Sequence, residues 1–293
     1  MGFLQYLING ISIGSVYAII ALGYTMVYGI AKMLNFAHGD VIMMGAYISY
    51  CATNYMGLPV WVAIPVAMVF CTVLGIVIEG LAYKPLRGTS SLAVLITAIG
   101  VSYFLQNAAQ LIWGSDIKIF SSVVSMAPIT LFGGELTITA EVIVTVIASV
   151  IIMVGLTLFT GKTRMGKAMR AVSEDREAAQ LMGINVNRTI SITFAIGSAL
   201  AAVAGVLLCS TVPTLQPTTG SMPGIRAFTA AVFGGIGSIP GAMLGGILLG
   251  IIETMTKAYL STQFSDAIVF LVLIVVLLVK PAGLMGKAVQ EKV

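Results

Sequence analysis

The chain has 293 residues, of which 58% are hydrophobic and only 9% charged; its mean hydropathy is +1.05 and its formal net charge +4. A soluble domain keeps its surface in water with roughly a quarter of its residues charged, so that class is excluded. Apolar runs of about 20 residues recur along the chain, each long enough to cross a hydrocarbon core of about 30 Å as a helix. The strict alternation of a membrane barrel is absent, and the expected fold is an all-α, polytopic transmembrane bundle.

The first 31 residues carry no charge. The basic flank of a cleavable signal peptide is therefore missing, and the first apolar run, Tyr6–Gly29, is expected to remain as a span. The motif "NFAHGD", Asn35 to Asp40, separates it from the second span, Val41–Gly57, and holds His38, the only histidine. A histidine so near a carboxylate suits a gate or proton site. Equally, Asn35 and Gly39 suit a turn and Asp40 suits the N-cap of the next helix.

The third and fourth spans are expected at Val60–Tyr83 and Ser91–Trp113, joined by a loop carrying Lys84 and Arg87. Glu79 lies near the end of the third span, close to Lys84. The segment 114–138, with Asp116, Lys118 and Glu135, has no basic excess, and Glu141 opens the fifth span, Thr139–Thr160. Thr189–Thr211 is the sixth span. A less regular stretch, Met222–Tyr259, follows and contains "FGGIGSIPGAMLGGILLG". Here Gly237, Gly241 and Gly245 are four apart, as are Gly246 and Gly250, a spacing that lets helices approach closely in lipid. The double glycine Gly234–Gly235 and Pro240 also predict a broken helix, tolerable where protein or a water-filled cavity satisfies the freed backbone. Plain helix packing and a mobile or pathway-lining element are both open readings. Glu253 and Lys257, four apart, can pair on one helix face; Arg226 and Asp266 fall near predicted span ends. Ala267–Val279 is the last span. Met222–Tyr259 is expected to cross twice, the first time only briefly, which makes eight spans, plus or minus one.

Basic loops set orientation. Lys84, Arg87 and the charged stretch after span five are expected in the cytoplasm, the N-terminus outside, and the C-terminus, with Lys280, Lys287 and Lys292, inside. Cys51, Cys71 and Cys209 suggest neither a disulfide framework nor a zinc site. A single histidine cannot build a HExxH metal site, and no nucleophile–base set for catalysis is evident. "GKT" at Gly161–Thr163 lacks the upstream glycine of a phosphate-binding loop, since position 156 is Leu156.

That stretch, "GKTRMGKAMRAVSEDREAAQLMGINVNR" from Gly161 to Arg188, concentrates Lys162, Arg164, Lys167, Arg170, Glu174, Asp175, Arg176, Glu177 and Arg188 in an otherwise apolar chain. Ser173 suits a helix N-cap. Glu174, Asp175 and Glu177 then occupy the first turn, where the dipole favours negative charge, and Gly183 suits the residue past the C-cap. A helix of about nine residues, about 14 Å long, is expected. Met169, Val172, Ala179 and Met182 form an apolar stripe beside a charged face, to rest on the membrane, on the spans or in a groove of a soluble partner.

"EAAQLMG" fits the EAA-xxx-G signature of ATP-binding-cassette importer permeases at Glu177, Ala178, Ala179 and Gly183. With "ALGYTMVYGIAKMLNFAHGDVIMMGAYIS", "GKAMRAVSEDREAAQLMGINV" and "GGIGSIPGAMLGG", nearly the whole chain resembles the permeases of high-affinity branched-chain amino acid importers, in particular the shorter of their two permease subunits. The resemblance implies a single transmembrane permease domain, residues 1–293, whose cytoplasmic loop 161–188 couples to an ATPase. Arg170, Glu174 and Arg176 would make rim contacts there, and Ala178, Ala179, Leu181 and Met182 would be buried anchors, between Ser173 and Gly183. It implies a transport subunit without catalysis and with no cofactor of its own, Mg-ATP being held by partners. Those partners would be a second homologous permease, two ATPases and an extracytoplasmic binding protein, in the bacterial cytoplasmic (inner) membrane; nucleic acid has no place in it. A permease of the same type for urea or short amides is the nearer alternative, and a stand-alone channel or secondary carrier the more distant one.

Overall fold

The computed structural model describes residues 2–122, 127–131 and 136–286; Glu135, Lys287 and Lys292 lie outside them. Among the described residues, six helices are long and apolar enough to cross a membrane. They are α1 (Gly2–Ala31), α3 (Val60–Ile78, continued by a wider turn over Glu79–Tyr83 and a tight one to Leu86), α4 (Ser91–Trp113), α5 (Ala140–Lys162), α8 (Val186–Thr211) and α10 (Ile239–Tyr259). Shorter helices complete the set: α2 (His38–Asn54), α6 (Arg164–Glu174), α7 (Arg176–Leu181), α9 (Ser221–Gly234) and α11 (Ser265–Val279). The result is a helical bundle consistent with about eight spans. The little β-structure among the described residues is two antiparallel pairs, β1 (Lys118–Ile119) with β4 (Thr214–Leu215) and β2 (Ile129–Leu131) with β3 (Leu136–Ile138).

A helix that is apolar all round belongs inside a bundle, and α1 is such a helix: 89% of its most apolar window is buried. It packs against α10, α8, α5 and α9. Small residues set the closest of these contacts. A Cβ on Gly14 would stand 2.7 Å from the Ile247 Cα, and one on Gly250 would stand 2.3 Å from the Gly14 Cα. Gly246 lies as tightly on Ala18. The four-residue glycine spacing thus works as the packing device the sequence suggested. By contrast α3, α4 and α5 turn much of their surface outward, exposing Trp61, Val69, Phe104, Leu111 and Ile151.

Pro240 does not break a helix. It lies in the first turn of α10, where its missing N–H has no partner to lose, and Ser238 caps that turn by accepting from the Gly241 N–H at 3.2 Å. The break is the turn between α9 and α10, where Gly235 (φ +108°) and Gly237 (φ +95°) take left-handed conformations. Gly234, Gly241 and Gly245 bring the two arms together; a Cβ on Gly245 would stand 2.2 Å from the Ala230 carbonyl oxygen.

The charged stretch, the Lys84–Arg87 loop, the end of α1 and the α9–α10 turn share one end of the bundle. Arg87 donates to Asn187, Arg176 donates to the Ala31 carbonyl, and Gly29 lies on Gly237. The N-terminus lies at the other end, where Tyr6 meets Tyr259 edge-on and Gln5 exchanges hydrogen bonds with Thr137. Lys32, Lys84, Arg87, Lys162, Arg164, Lys167, Arg170, Arg176, Arg188 and Lys280 all fall at or near the first end.

Candidate functional site

The charged stretch folds as an elbow of two helices. Thr163 caps α6, accepting from the Gly166 N–H at 3.0 Å, and Gly166 lets the backbone double back on α5: a Cβ there would stand 2.3 Å from the Phe159 carbonyl oxygen. Met169 and Val172 are buried, so α6 lies along the bundle rather than away from it. The helix runs through Ser173, whose hydroxyl donates to the Arg170 carbonyl at 2.7 Å and caps nothing. The expected N-cap is instead Asp175, in extended backbone, whose Oδ1 accepts from the Glu177 and Ala178 N–H groups at 2.9 and 3.0 Å. The second helix is accordingly shorter than expected, six residues from Arg176 to Leu181. Its end is as the sequence suggested. Gly183 (φ +82°) takes the left-handed position, with Gly183 N–H on the Gln180 carbonyl and Ile184 N–H on the Ala179 carbonyl, both at 3.0 Å.

The apolar stripe divides at this elbow. Ala179 faces this chain's own bundle and is 4% exposed, so it is not available as an anchor for another protein. Leu181 and Met182 are 88% and 82% exposed, and Ala178 is exposed beside them. Glu174 and Glu177 are exposed too, while Arg170 donates to the Gly161 carbonyl at 3.1 Å. Arg176 turns inward to Ala31 and ties the elbow to the end of α1. The exit of the elbow is tied as well: Glu79, buried, accepts from Arg87 and from the Ser191 hydroxyl of α8 at 2.6 Å. Its ion-pair partner is therefore Arg87, not the nearer Lys84.

The "NFAHGD" motif lies deep. Between α1 and α2 the chain re-enters the bundle without helix, Lys32 taking φ +51°, and α2 starts where its Gly39 meets Gly220 and Gly224 at the start of α9. Two helix N-termini thus face each other inside the protein. Asn35 accepts from the Tyr83 hydroxyl at 2.8 Å. His38 packs edge-on to Tyr24, 4.6 Å between centroids, over Gly23, where any Cβ would strike its ring. Asp40 is not an N-cap; that position is Ala37. It sits in the first turn, where the helix dipole favours a carboxylate, and accepts from Gln106 of α4 at 2.9 Å. Gln106 also reaches the Ser221 hydroxyl at 3.2 Å. His38 and Asp40 therefore point to different neighbours and do not form a pair.

Another polar group was not assembled by sequence reasoning beyond its Glu253–Lys257 pair. Arg226 of α9 donates to Glu253 at 2.8 Å, to the Tyr17 hydroxyl at 3.0 Å, and to Asp266 at 2.6 and 3.0 Å. Lys257 joins it on the same Glu253 oxygen. The four elements that supply these groups are separated by as many as 249 positions, so no local pattern could have linked them; the only available signal was charge in apolar surroundings. Among the described residues, no cluster of histidine, cysteine and carboxylate that could hold a metal is present.

The comparisons with known proteins agree with this architecture. Residues 6–277 match the family model "Branched-chain amino acid transport system / permease component". The chain is 46% identical to the high-affinity branched-chain amino acid transport system permease protein LivH of Escherichia coli, over 99% of this chain and 98% of that protein. It is 44% identical to BraD, a permease protein of the same description from Pseudomonas aeruginosa, again over 99% of this chain and 98% of that protein. A more distant similarity, 24% over 92% of this chain and 68% of the other, connects it to the permease protein LivM of Escherichia coli. With a match along nearly its whole length and a bundle of apolar helices to carry it, this chain is a multi-pass membrane protein of the branched-chain amino acid transport system permease family.

Proposed function

We propose that the chain is the membrane-spanning permease subunit of an ATP-binding-cassette importer that carries branched-chain amino acids into the cell, in the bacterial inner membrane. The work of ATP hydrolysis belongs to a separate ATPase subunit, and a second permease of LivM type and an extracytoplasmic binding protein complete the assembly. The observation that carries this reading is the elbow: a short helix, capped at both ends, presents Ala178, Leu181 and Met182 to the surroundings at the basic end of the bundle. Exposed apolar side chains on a rigid helix, ringed by Glu174 and Glu177, fit a hydrophobic cleft in a soluble partner.

The mechanism follows from how the elbow is tied. Because Arg176 holds the end of α1, and because Met169, Val172 and Ala179 hold both short helices to the bundle, displacement of the docked helix moves the spans with it. ATP binding that draws two ATPases together would rock the bundle between inward-open and outward-open states as rigid bodies. Nothing in this requires chemistry within the chain. The test is reconstitution: with its partners and ATP, the chain should accumulate leucine in proteoliposomes, and the chain alone should not. Selective leucine flux through the lone polypeptide, without nucleotide, would overturn the reading in favour of a channel or carrier.

A further inference from the structure

The outward face of α5 carries a continuous apolar stripe. Ile147, Ile151, Val154 and Leu158 are exposed and follow one another at helical spacing, the pattern of a face laid against lipid. One turn beyond Leu158 the same line reaches Lys162, the last residue of the helix, which is exposed as well. Arg164 and Lys167 follow on α6. The other side of α6, with Gly166, Met169 and Val172, is buried against the bundle, which leaves both cations exposed beside the end of α5. The turn that brings them there is fixed: Thr163 caps α6, and Arg170 reaches back to the Gly161 carbonyl at 3.1 Å. Among the described residues, no carboxylate lies within ion-pair distance of Lys162, Arg164 or Lys167. Three uncompensated cations thus stand together where a lipid-facing helix ends.

We propose that the α5–α6 junction binds the headgroup of an anionic phospholipid, with an acyl chain running along the apolar stripe of α5. A phosphodiester carries the charge this patch lacks, and its oxygens accept from ammonium and guanidinium groups alike; Arg164 can present two parallel N–H donors to it. Lys162 favours a lipid over a soluble anion or an acidic protein surface. It continues the stripe that faces hydrocarbon, so a group bound there lies at headgroup depth with its chain on Leu158 and Val154. Leu181 and Met182, the side chains assigned above to ATPase docking, belong to the other end of the elbow. The acid nearest the patch along α6, Glu174, is the last residue of that helix. The bound headgroup holds the start of the elbow at the membrane surface, whatever the bundle transports.

The experiment titrates the purified full-length chain, in detergent, with phosphatidylglycerol or phosphatidylcholine carrying a fluorescent acyl chain. A Lys or Arg close to an anionic headgroup contributes on the order of fivefold in affinity. The wild type is therefore expected to bind phosphatidylglycerol at least about tenfold more tightly than phosphatidylcholine. Neutralising the patch by Lys162→Gln, Arg164→Gln and Lys167→Gln together should remove that preference and leave phosphatidylcholine binding as it was. A comparison variant, Lys84→Gln with Arg188→Gln and Lys280→Gln, removes as much charge elsewhere at the same end of the bundle and should bind within about twofold of the wild type. Equal losses in the two triple variants would overturn the site, because overall charge would then account for the attraction. Unchanged phosphatidylglycerol binding in the first variant would overturn it too, and a fall in ATPase retention alongside would assign the patch to an acidic protein surface. Displacement of the lipid by an equal concentration of inorganic phosphate would show a free-anion site instead. Should the first variant fail to insert, the wild type decides alone, and equal affinity for the two lipids refutes the proposal.

Discussion

Replacing Leu181 by Asp separates docking from folding. The side chain is 88% exposed and makes no contribution to this chain's core, so the folded bundle should change by no more than about 0.5 kcal/mol, the usual scale for a surface substitution. In a complex the position behaves differently. Fully burying a leucine stabilises by about 1.5–3 kcal/mol, and a midpoint near 2 kcal/mol corresponds to roughly 30-fold in affinity. The introduced carboxylate would also have to be desolvated in the cleft, so about 30-fold is a lower bound. The assay is paired: retention of the ATPase subunits on affinity-tagged permease, and ATP-driven leucine uptake in proteoliposomes. Both should collapse while the variant inserts and melts as the wild type does. Ala179→Asp is not an equivalent test, because Ala179 is buried within this chain and its replacement would unseat the elbow itself. Full retention of ATPase and undiminished uptake by Leu181→Asp would refute the docking argument.

Gly250→Val places side-chain atoms where a Cβ alone would stand 2.3 Å from the Gly14 backbone, and backbone cannot yield as a flexible side chain can. A loss of about 3 kcal/mol or more is expected, visible as a lowered thermal midpoint in detergent; an unchanged midpoint would place the α1–α10 contact elsewhere. Glu79→Ala leaves the largely buried Arg87 guanidinium without its carboxylate, a change that costs about 3 kcal/mol or more in comparable pairs. Adding Arg87→Met should recover most of that loss, and a double variant no more stable than Glu79→Ala would argue against the pair.

Much of this architecture is legible in the chain because its signals are local. An apolar run long enough to cross the bilayer announces a span whatever packs around it. Predicted spans such as Ser91–Trp113 match the helices, as does Val60–Tyr83 with its wider final turn. Glycines four apart announce a close crossing, which α1 and α10 make. The left-handed residue that ends the elbow was likewise foreseeable, since Gly183 accepts that conformation without a Cβ clash.

What the sequence determined by itself, then, is the class of fold, the approximate spans, the gathering of most basic residues at one end and the existence of a short capped helix within the charged stretch. Tertiary structure decided the rest. Ser173 and Asp175 are both competent caps, and Asp175 prevails where burial of Met169 and Val172 extends α6 through Ser173. Which face of that stripe stays outward, whether Glu79 meets Lys84 or Arg87, and whether Arg226, Glu253, Asp266 and Tyr17 stand apart or together depend on how distant helices pack. The physical reason is range: hydropathy and capping act within a turn or a single span, whereas a buried charge finds its partner only after the helices that carry both have assembled.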